Sequence, residues 1–438
     1  MNFPVLFKRL LALCACAGML TFASARLLAA EHAPEAAAHG AAATAAEAAP
    51  HGDAHASAEA AGHQSHAEAK EPTFLEAALY SYLTAYMFCL SIVVGAFFLI
   101  HLHYLFDAAW SVPIRRINEQ IACLMPYMGV LALPMLVFGP TIYPWMSIDP
   151  ATDHSLDVKK VLFNRPTFIG VIIGCFVLWS FMALRFRKWS VAQDKDGAAI
   201  WTRKARFQAA WGIYALAFSL TLVVFLLMKS LQHQFFSTMY GVYYFAGSMW
   251  VTLATVYGIM RLLAGRELRG VISKNTIHFL GTLFFAFTVF YAYIHFSQYF
   301  LIWNAAIPEE TFWYVKREAG SWWEVGLLIL FGHFIAPFVI LLRIDTKMNM
   351  LVMGPMIAWA WLMHYVDMTF NVMPVLYPNG LHLTLLDPLC WFGMAAFLGF
   401  IFWRNFKTAA AFPLKDPRLK EAITHHEVPA PGAATSHH

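Results

Sequence analysis

A histidine and an aspartate, His364 and Asp367, lie three residues apart inside a long apolar stretch of this 438-residue chain. Residues at this spacing share one face of a helix. Ionisable groups are costly in such a stretch and usually have a function, and an imidazole beside a carboxylate can accept and pass on a proton near neutral pH. The pair therefore predicts a proton-accepting site, which His295 and His333 of other stretches would approach in a folded bundle.

Further ionisable residues extend this candidate proton path. Glu324 lies towards the same side of the predicted membrane domain, and a second group lies near the other side: His101, His103 and Asp107. The alternative interpretation is that these histidines are core residues, hydrogen-bonded to backbone or to Ser and Thr hydroxyls. For the group as a whole, the sequence favours proton or quinone chemistry.

Nine apolar stretches, each near twenty residues, must position these side chains. A bilayer core about 30 Å thick is crossed by about 20 residues of helix, and only helices or closed barrels satisfy every backbone group there. The stretches are too long for barrel strands, so the sequence predicts an all-α polytopic membrane protein. The predicted spans are 77–105, 118–142, 166–184, 207–229, 240–263, 276–302, 322–342, 349–370 and 387–404.

Composition and charge agree with this class and predict an orientation. Hydrophobic residues make up 60% of the chain and charged residues 13%, against roughly 45–50% and 25% in soluble domains. Arginine and lysine concentrate in alternate connections, which the positive-inside rule places in the cytoplasm. The C-terminus is then cytoplasmic. The connections predicted to face outward are 143–165, 230–239, 303–321 and 371–386.

The chain divides into four predicted parts. Residues 1–30 are a signal peptide or a retained transmembrane helix, and residues 31–76 are a segment rich in Ala and His that faces the periplasm. Such a composition predicts disorder, with binding of zinc or copper as the alternative. Residues 77–405 form the helical membrane domain, and 406–438 form a cytoplasmic tail.

Several classes of function are disfavoured by missing motifs. The six cysteines form no C-x-x-C pattern, so no iron–sulfur cluster, metal site or covalently attached haem is predicted. The intramembrane histidines lack the repeated one-face spacing of a haem-binding bundle. Matching interrupted helices, which are typical of transporters, are not evident, although a stand-alone transporter stays an alternative.

Three segments of the chain carry a family likeness. They are Phe236 to Ser248 (FSTMYGVYYFAGS), His295 to Asn304 (HFSQYFLIWN) followed by Pro308, Glu309, Glu310 and Tyr314, and Trp110 to Pro113 (WSVP) with Arg115 and Arg116. These segments resemble the NrfD-like integral membrane subunits of bacterial alternative complex III, most closely the second of that complex's two such subunits. The likeness extends over 77–405 and implies a bacterial inner membrane as the location.

The resemblance implies a fold and a set of partners. The fold is two four-helix bundles with flanking helices and a tenth, N-terminal helix. The complex oxidises a quinol, often menaquinol, and its electrons pass to an iron–sulfur subunit and to multihaem and monohaem cytochrome c subunits. The chain would contribute a proton pathway and a quinone site, or act as a structural paralogue without one. The matching residues implied for the quinone site are His295, Ser297, Gln298, Tyr299 and Asn304.

Overall fold

The computed structural model describes residues 72–424. The predictions for 1–30, for nearly all of 31–76 and for the end of the tail lie outside the described residues. Within 72–424 the regular structure is helical. The helices are α1 (Phe74–Phe106), α2 (Val112–Ala122), α3 (Met125–Leu131), α4 (Leu133–Val137), α5 (Gly139–Ile142), α6 (His154–Lys159), α7 (Arg165–Asp196), α8 (Ala199–Leu227), α9 (Tyr240–Leu263), α10 (Lys274–Ala305), α11 (Pro308–Val315), α12 (Trp322–Ile329), α13 (Ala336–Leu341), α14 (Ile344–Met348), α15 (Met350–Val372), α16 (Leu386–Phe406) and α17 (Leu419–Thr424).

Eight helical segments of the described chain are long and apolar enough to cross a membrane. The protein is therefore a polytopic helical membrane protein, as the apolar stretches predict. Helix α15 has 23 residues and is about 35 Å long at a rise of 1.5 Å per residue. It is long enough to span a bilayer, although it is not among the eight. A total of nine or ten spans and the division into two bundles stay predictions.

The stretch predicted over 118–142 is built from several short helices. Pro126, Pro134 and Pro140 each occupy one of the first two positions of a new helix, in α3, α4 and α5. Proline lacks an N–H and clashes with the carbonyl four residues before it, but the first turn of a helix accommodates both defects. The helix is therefore interrupted before each proline, and helix α2, which precedes these interruptions, is fully buried.

Helix α1 is the centre of the packing. It contacts α2, α8, α9, α15 and α16, and it is apolar and buried around nearly all of its circumference. Gly95 lies where α1 meets α9. A Cβ at this position would lie 2.2 Å from Thr252 Oγ1 and 2.9 Å from the Ser248 carbonyl oxygen, so only glycine permits this approach.

Gly95→Ala is expected to destabilise the protein by about 1–3 kcal/mol, because the Ser248 carbonyl belongs to the backbone of α9 and yields only if the helix moves. The matched control is Gly174→Ala on α7, where an added Cβ meets no atom within 4 Å. The control should be as stable as the wild type or slightly more so. Thermal unfolding in detergent measures both variants, and equal stability of the two would contradict the close approach.

The arginine-rich connections meet at one end of the described helices, called here the basic end. Arg115 forms an ion pair with Asp416, and Arg418 lies 3.1 Å from the Asp107 carboxylate. The tail therefore folds back against the connection between α1 and α2. Helix α17 also packs against α2. The part of the predicted tail that the structure describes is thus a component of the membrane domain's fold.

Arg317 closes the opposite end. Its guanidinium donates to the carbonyl oxygens of Phe370 at 2.9 Å, Asn371 at 2.8 Å and Trp313 at 2.9 Å, and it stacks 3.4 Å from the Trp313 ring. These carbonyls lie in the last turns of α15 and α11, where unpaired acceptors and the helix dipole favour a cation. Arg317 therefore fixes the end of α15 that contains Asp367.

Two of the connections predicted to face outward are joined by Asp153 and His233. The Asp153 side chain caps α6 by accepting the Ser155 N–H at 2.8 Å, and its other oxygen lies 2.7 Å from His233 Nε2. Although partial burial acts to raise the pKa of Asp153, hydrogen bonds from Ser155 and His233 outweigh burial and lower the pKa from 3.8 to about 2. The carboxylate therefore favours the folded state.

We expect Asp153→Asn to lower stability at pH 6 and to lose that effect as the pH falls. A carboxyl whose pKa is lowered by folding stabilises the protein above its unfolded pKa, and the contribution disappears as pH falls towards the folded value. Asparagine can keep the helix cap through Oδ1 but loses the charged oxygen that faces His233 Nε2, so the variant tests the pairing with His233 without removing the cap. Thermal unfolding of both proteins at pH 6, 4 and 3 should show a shrinking difference, and a constant difference would contradict this.

Candidate functional site

Three fully buried side chains meet in the interior and are called here the central cluster: His333, His364 and Asp367. One nitrogen or oxygen atom of each lies within 4.8 Å of the others. His364 and Asp367 come from α15, and His333 comes from the segment between α12 and α13. The structure thus brings together three of the residues that the sequence predicts for a proton path.

His333 lies in a π-helical turn, Leu330–Ile335. Pro337, four residues after His333, has no N–H to donate to the His333 carbonyl. The neighbouring Ala336 N–H instead donates to the carbonyl of Phe331, five residues back. The proline therefore explains the wide turn, and such turns occur frequently at functional sites.

Two aromatic rings hold the imidazole of His333. The centroids of Trp250 and Tyr291 each lie 3.7 Å from its own, and both rings stack on it. Trp250 is itself fixed, because its indole N–H donates to Thr288 Oγ1 at 2.8 Å. Neither ring nitrogen of His333 has a hydrogen-bond partner. The ring is thus placed firmly, and its nitrogens are unsatisfied.

The hydrogen bonds of Ser91 assign the tautomer of His364. His364 Nε2 lies 2.9 Å from Ser91 Oγ, and the Ser91 hydroxyl donates its only hydrogen to the Phe88 carbonyl at 2.6 Å. Ser91 must therefore accept from His364, so that Nε2 carries the imidazole hydrogen. The other nitrogen, Nδ1, then bears a lone pair, and it has no partner.

Asp367 is satisfied at one oxygen and unsatisfied at the other. Its Oδ1 accepts a hydrogen bond from the Tyr243 hydroxyl and another from Asn371 Nδ2 at 3.3 Å. Its Oδ2 has no partner and lies 4.0 Å from His364 Nδ1. Two buried acceptors therefore face each other. Leaving both unsatisfied costs their full desolvation, and a cation between them would satisfy both.

A row of polar side chains connects the central cluster with His295. The Tyr243 hydroxyl, which donates to Asp367, lies 3.4 Å from the Tyr291 hydroxyl. Tyr291 in turn lies 3.3 Å from His295 Nδ1. His295 is half-buried, whereas both tyrosines are buried. The row therefore leads from the interior towards a more accessible position on α10.

The residues implied for a quinone site do not all lie together. On α10, Gln298 faces inward with His295, accepting from Ser237 Oγ and donating to Tyr314 OH, both at 3.1 Å. The remaining implied residues lie on other faces of the same helix: Ser297 is half-buried, and Tyr299 and Asn304 are exposed. Glu324 is also exposed, on α12, and does not belong to the polar row. Helical periodicity separates these residues although they are close in sequence.

The second predicted group lies at or towards the basic end. His103 Nδ1 is 2.5 Å from Ser111 Oγ, and its Nε2 is 2.8 Å from Arg115. Asp107 forms ion pairs with Arg206 and Arg418.

His101 differs from His103 in having a free nitrogen. Its Nδ1 bonds to the Phe97 carbonyl at 2.9 Å, whereas Nε2 has no partner. Gly212 lies directly opposite, where a Cβ would be 2.7 Å from Nε2. His101 is therefore the member of this group that keeps an unused acid–base atom.

Several residues of the site are not evident from sequence. Tyr243 and Tyr291 provide the hydroxyl row, Ser91 sets the tautomer, and Trp250 holds His333. One local signal was present for Asn371, which lies four residues after Asp367 and so on the same helix face. The others are single polar or aromatic residues on separate helices, and only the packing selects them.

Comparison of the chain with protein-family models finds no match, and comparison with curated proteins finds no significant match.

Proposed function

We propose that this protein is a membrane subunit of a quinol:electron-acceptor oxidoreductase, in which the central cluster accepts protons released by quinol oxidation. One observation carries the proposal. His364 Nδ1 and Asp367 Oδ2 are opposed, fully buried acceptors 4.0 Å apart, and neither has a hydrogen-bond partner among residues 72–424. A single positive charge between two such acceptors would stabilise both of them, and in a proton path that charge is a proton.

The polar row supplies the path. A quinol that becomes a quinone loses two protons and two electrons. The protons pass through Tyr243 and Tyr291 between His295 and the central cluster, each hydroxyl accepting one hydrogen as it donates another. The inward face of α10, with His295 and Gln298, is the proposed position of the quinol headgroup. The quinone class follows from the sequence resemblance, which favours menaquinone.

The electrons leave through partner subunits. The resemblance to NrfD-like subunits supports a second membrane subunit of this kind, an iron–sulfur subunit and cytochromes c as partners. These would receive the two electrons while this chain handles the protons. The exposed apolar and aromatic side chains of α10, among them Phe296, Tyr299 and Trp303, provide a surface for lipid or for the second membrane subunit.

The test is purification of the protein through an affinity tag in mild detergent, followed by mass spectrometry and a visible redox spectrum. We expect iron–sulfur and c-type cytochrome subunits to co-purify, with haem absorption that is reduced by a menaquinol analogue. A colourless, stable polypeptide without partners would overturn the proposal and favour a transporter. Coloured complexes that oxidise quinol equally well with a disabled central cluster would leave only a structural role.

A further inference from the structure

We propose that the central cluster also binds a divalent transition-metal ion, best Zn²⁺, and that the bound ion blocks the proton path. The binding rests on the geometry of His333, His364 and Asp367. The block rests on the proposed function. No cysteine or histidine motif in the sequence predicts this metal site, because its three ligands come from two separate segments.

The donor set fits zinc. His364 presents a lone pair at Nδ1, Asp367 presents Oδ2, and His333 presents an unpartnered nitrogen, all fully buried. Two imidazoles and one carboxylate with a fourth position for water are a common ligand set for zinc, which prefers four tetrahedral ligands. The sites of magnesium and calcium are instead built from oxygens. The cluster therefore selects a borderline-soft ion over the common hard ones.

The surrounding hydrogen bonds are those that metal ligands require. A metal-binding histidine usually donates its other N–H to an oxygen, which fixes the ring and its tautomer. His364 does this through Nε2 to Ser91 Oγ at 2.9 Å. The Asp367 oxygen that would not bind the metal is held by Tyr243 and Asn371. In each of these two ligands, the atom that would not bind the ion thus already has a hydrogen-bond partner.

The distances require only a small closure. With bonds of about 2.0–2.1 Å, ligand atoms around tetrahedral zinc lie about 3.3 Å apart. The present separations are at most 4.8 Å across the cluster and 4.0 Å between His364 Nδ1 and Asp367 Oδ2. Because Trp250 and Tyr291 hold His333, rotation of the two α15 side chains must bring the ligands together. One carboxylate neutralises half of the ion's charge, and water or hydroxide completes the site.

Gly247 offers a way to disturb the cluster without removing a ligand. A Cβ at this position would lie 3.0 Å from His364 Cε1 and 3.3 Å from Nδ1. Gly247→Ala therefore crowds the His364 ring at Nδ1, the atom that must bind the ion. We expect this variant to keep its helices and to bind metal at least tenfold more weakly, so it replaces a ligand variant that fails to fold.

The experiment must remove competing histidines that the sequence places in the terminal segments. In this background the following residues are changed to asparagine in the full chain: His32, His39, His51, His55, His63, His66, His425, His426, His437 and His438. The purified protein is titrated with Co²⁺, whose visible absorption reports tetrahedral coordination, and Zn²⁺ is then added to displace it. We expect one tetrahedral Co²⁺ per chain, displaced by one Zn²⁺.

Variants of the ligand residues test whether the ion binds at the central cluster. His364→Gln and Asp367→Asn should each abolish the tetrahedral spectrum. His101→Gln, which changes another buried histidine with an unpartnered nitrogen, should leave it intact. Size-exclusion elution and helical circular dichroism confirm folding. A spectrum that persists in both ligand variants, or no tetrahedral ion in the folded background protein, would overturn the metal site.

Quinol oxidation by the complex, measured with and without Zn²⁺, separates the two proposals. Stoichiometric binding with loss of turnover supports both. If Zn²⁺ binds at the central cluster without loss of turnover, the metal site is supported, but its position on the proton path is refuted. Loss of turnover that is unchanged in Gly247→Ala refutes the metal site as the cause.

Discussion

Asp367→Asn is expected to slow quinol oxidation by the assembled complex at least about 100-fold, the usual scale for the loss of a positioned acid–base group. Its physical basis is the opposed pair of acceptors. An asparagine oxygen can still accept from Tyr243, while its amide nitrogen can donate to the lone pair of His364 Nδ1. The substitution thus gives His364 Nδ1 a hydrogen-bond donor, replaces the unsatisfied Asp367 Oδ2 and removes the group that takes the proton.

This variant separates stability from activity. Because a donor replaces a repelled acceptor, we expect the folded protein to be at least as stable as the wild type in thermal unfolding. His364→Gln removes the other partner and should also slow turnover. Glu324→Gln is the control, since Glu324 is exposed on α12 and apart from the polar row. Normal turnover of the purified Asp367→Asn complex with a menaquinol analogue would refute the proton-accepting role.

Glu119→Gln is expected to destabilise the protein by about 3–5 kcal/mol, the cost of breaking a buried ion network by removing one partner. Glu119 is 1% exposed. Its carboxylate lies 3.3 Å from Arg115 Nε, 3.7 Å from Arg116 Nε and 3.4 Å from Arg187 Nη1. Glutamine preserves the shape but leaves the three guanidinium groups with one less negative charge among them.

The matched control is a solvent-exposed ion pair of the same protein. Arg343 and Asp345 lie 3.1 Å apart, with side chains 76% and 83% exposed. Asp345→Asn should therefore change stability by no more than about 1 kcal/mol. Thermal unfolding of both variants in the same detergent measures the contrast. A similar, small effect at the two positions would show that Glu119 is screened and contributes little.

The sequence predicted what depends on local spacing. Apolar length indicated the membrane class, and the spacing of His364 and Asp367 indicated a shared helix face. It also indicated that His333 would approach this pair, but not how His333 is held there, because that depends on the π-turn at Pro337 and on stacking with Trp250 and Tyr291. The sequence likewise did not indicate which side chains of the HFSQYFLIWN segment on α10 face inward, since Gln298 and Tyr299 are neighbours in sequence but face opposite environments.

The pattern of charged residues predicted the arrangement of the connections better than it predicted local structure. Arginine and lysine separate the loops into two sets, and contacts of the described residues gather the basic set at one end. The same residues gave no sign that Arg115, Arg116 and Glu119 would be buried. Their pairing depends on α2 lying between α1 and α7, a tertiary arrangement without a periodic signal.

The pairing of Arg115 with Asp416 has a consequence for how the protein is made. The two residues are 301 positions apart, and the acidic partner is among the last parts of the membrane domain to leave the ribosome. The first helices must therefore enter the bilayer with this arginine lacking that counter-ion. Translation of the final segment completes the cluster, so in a nascent chain halted before residue 416 the only carboxylate beside Arg115 among the described ion pairs is that of Glu119, which Arg115 shares with Arg116 and Arg187.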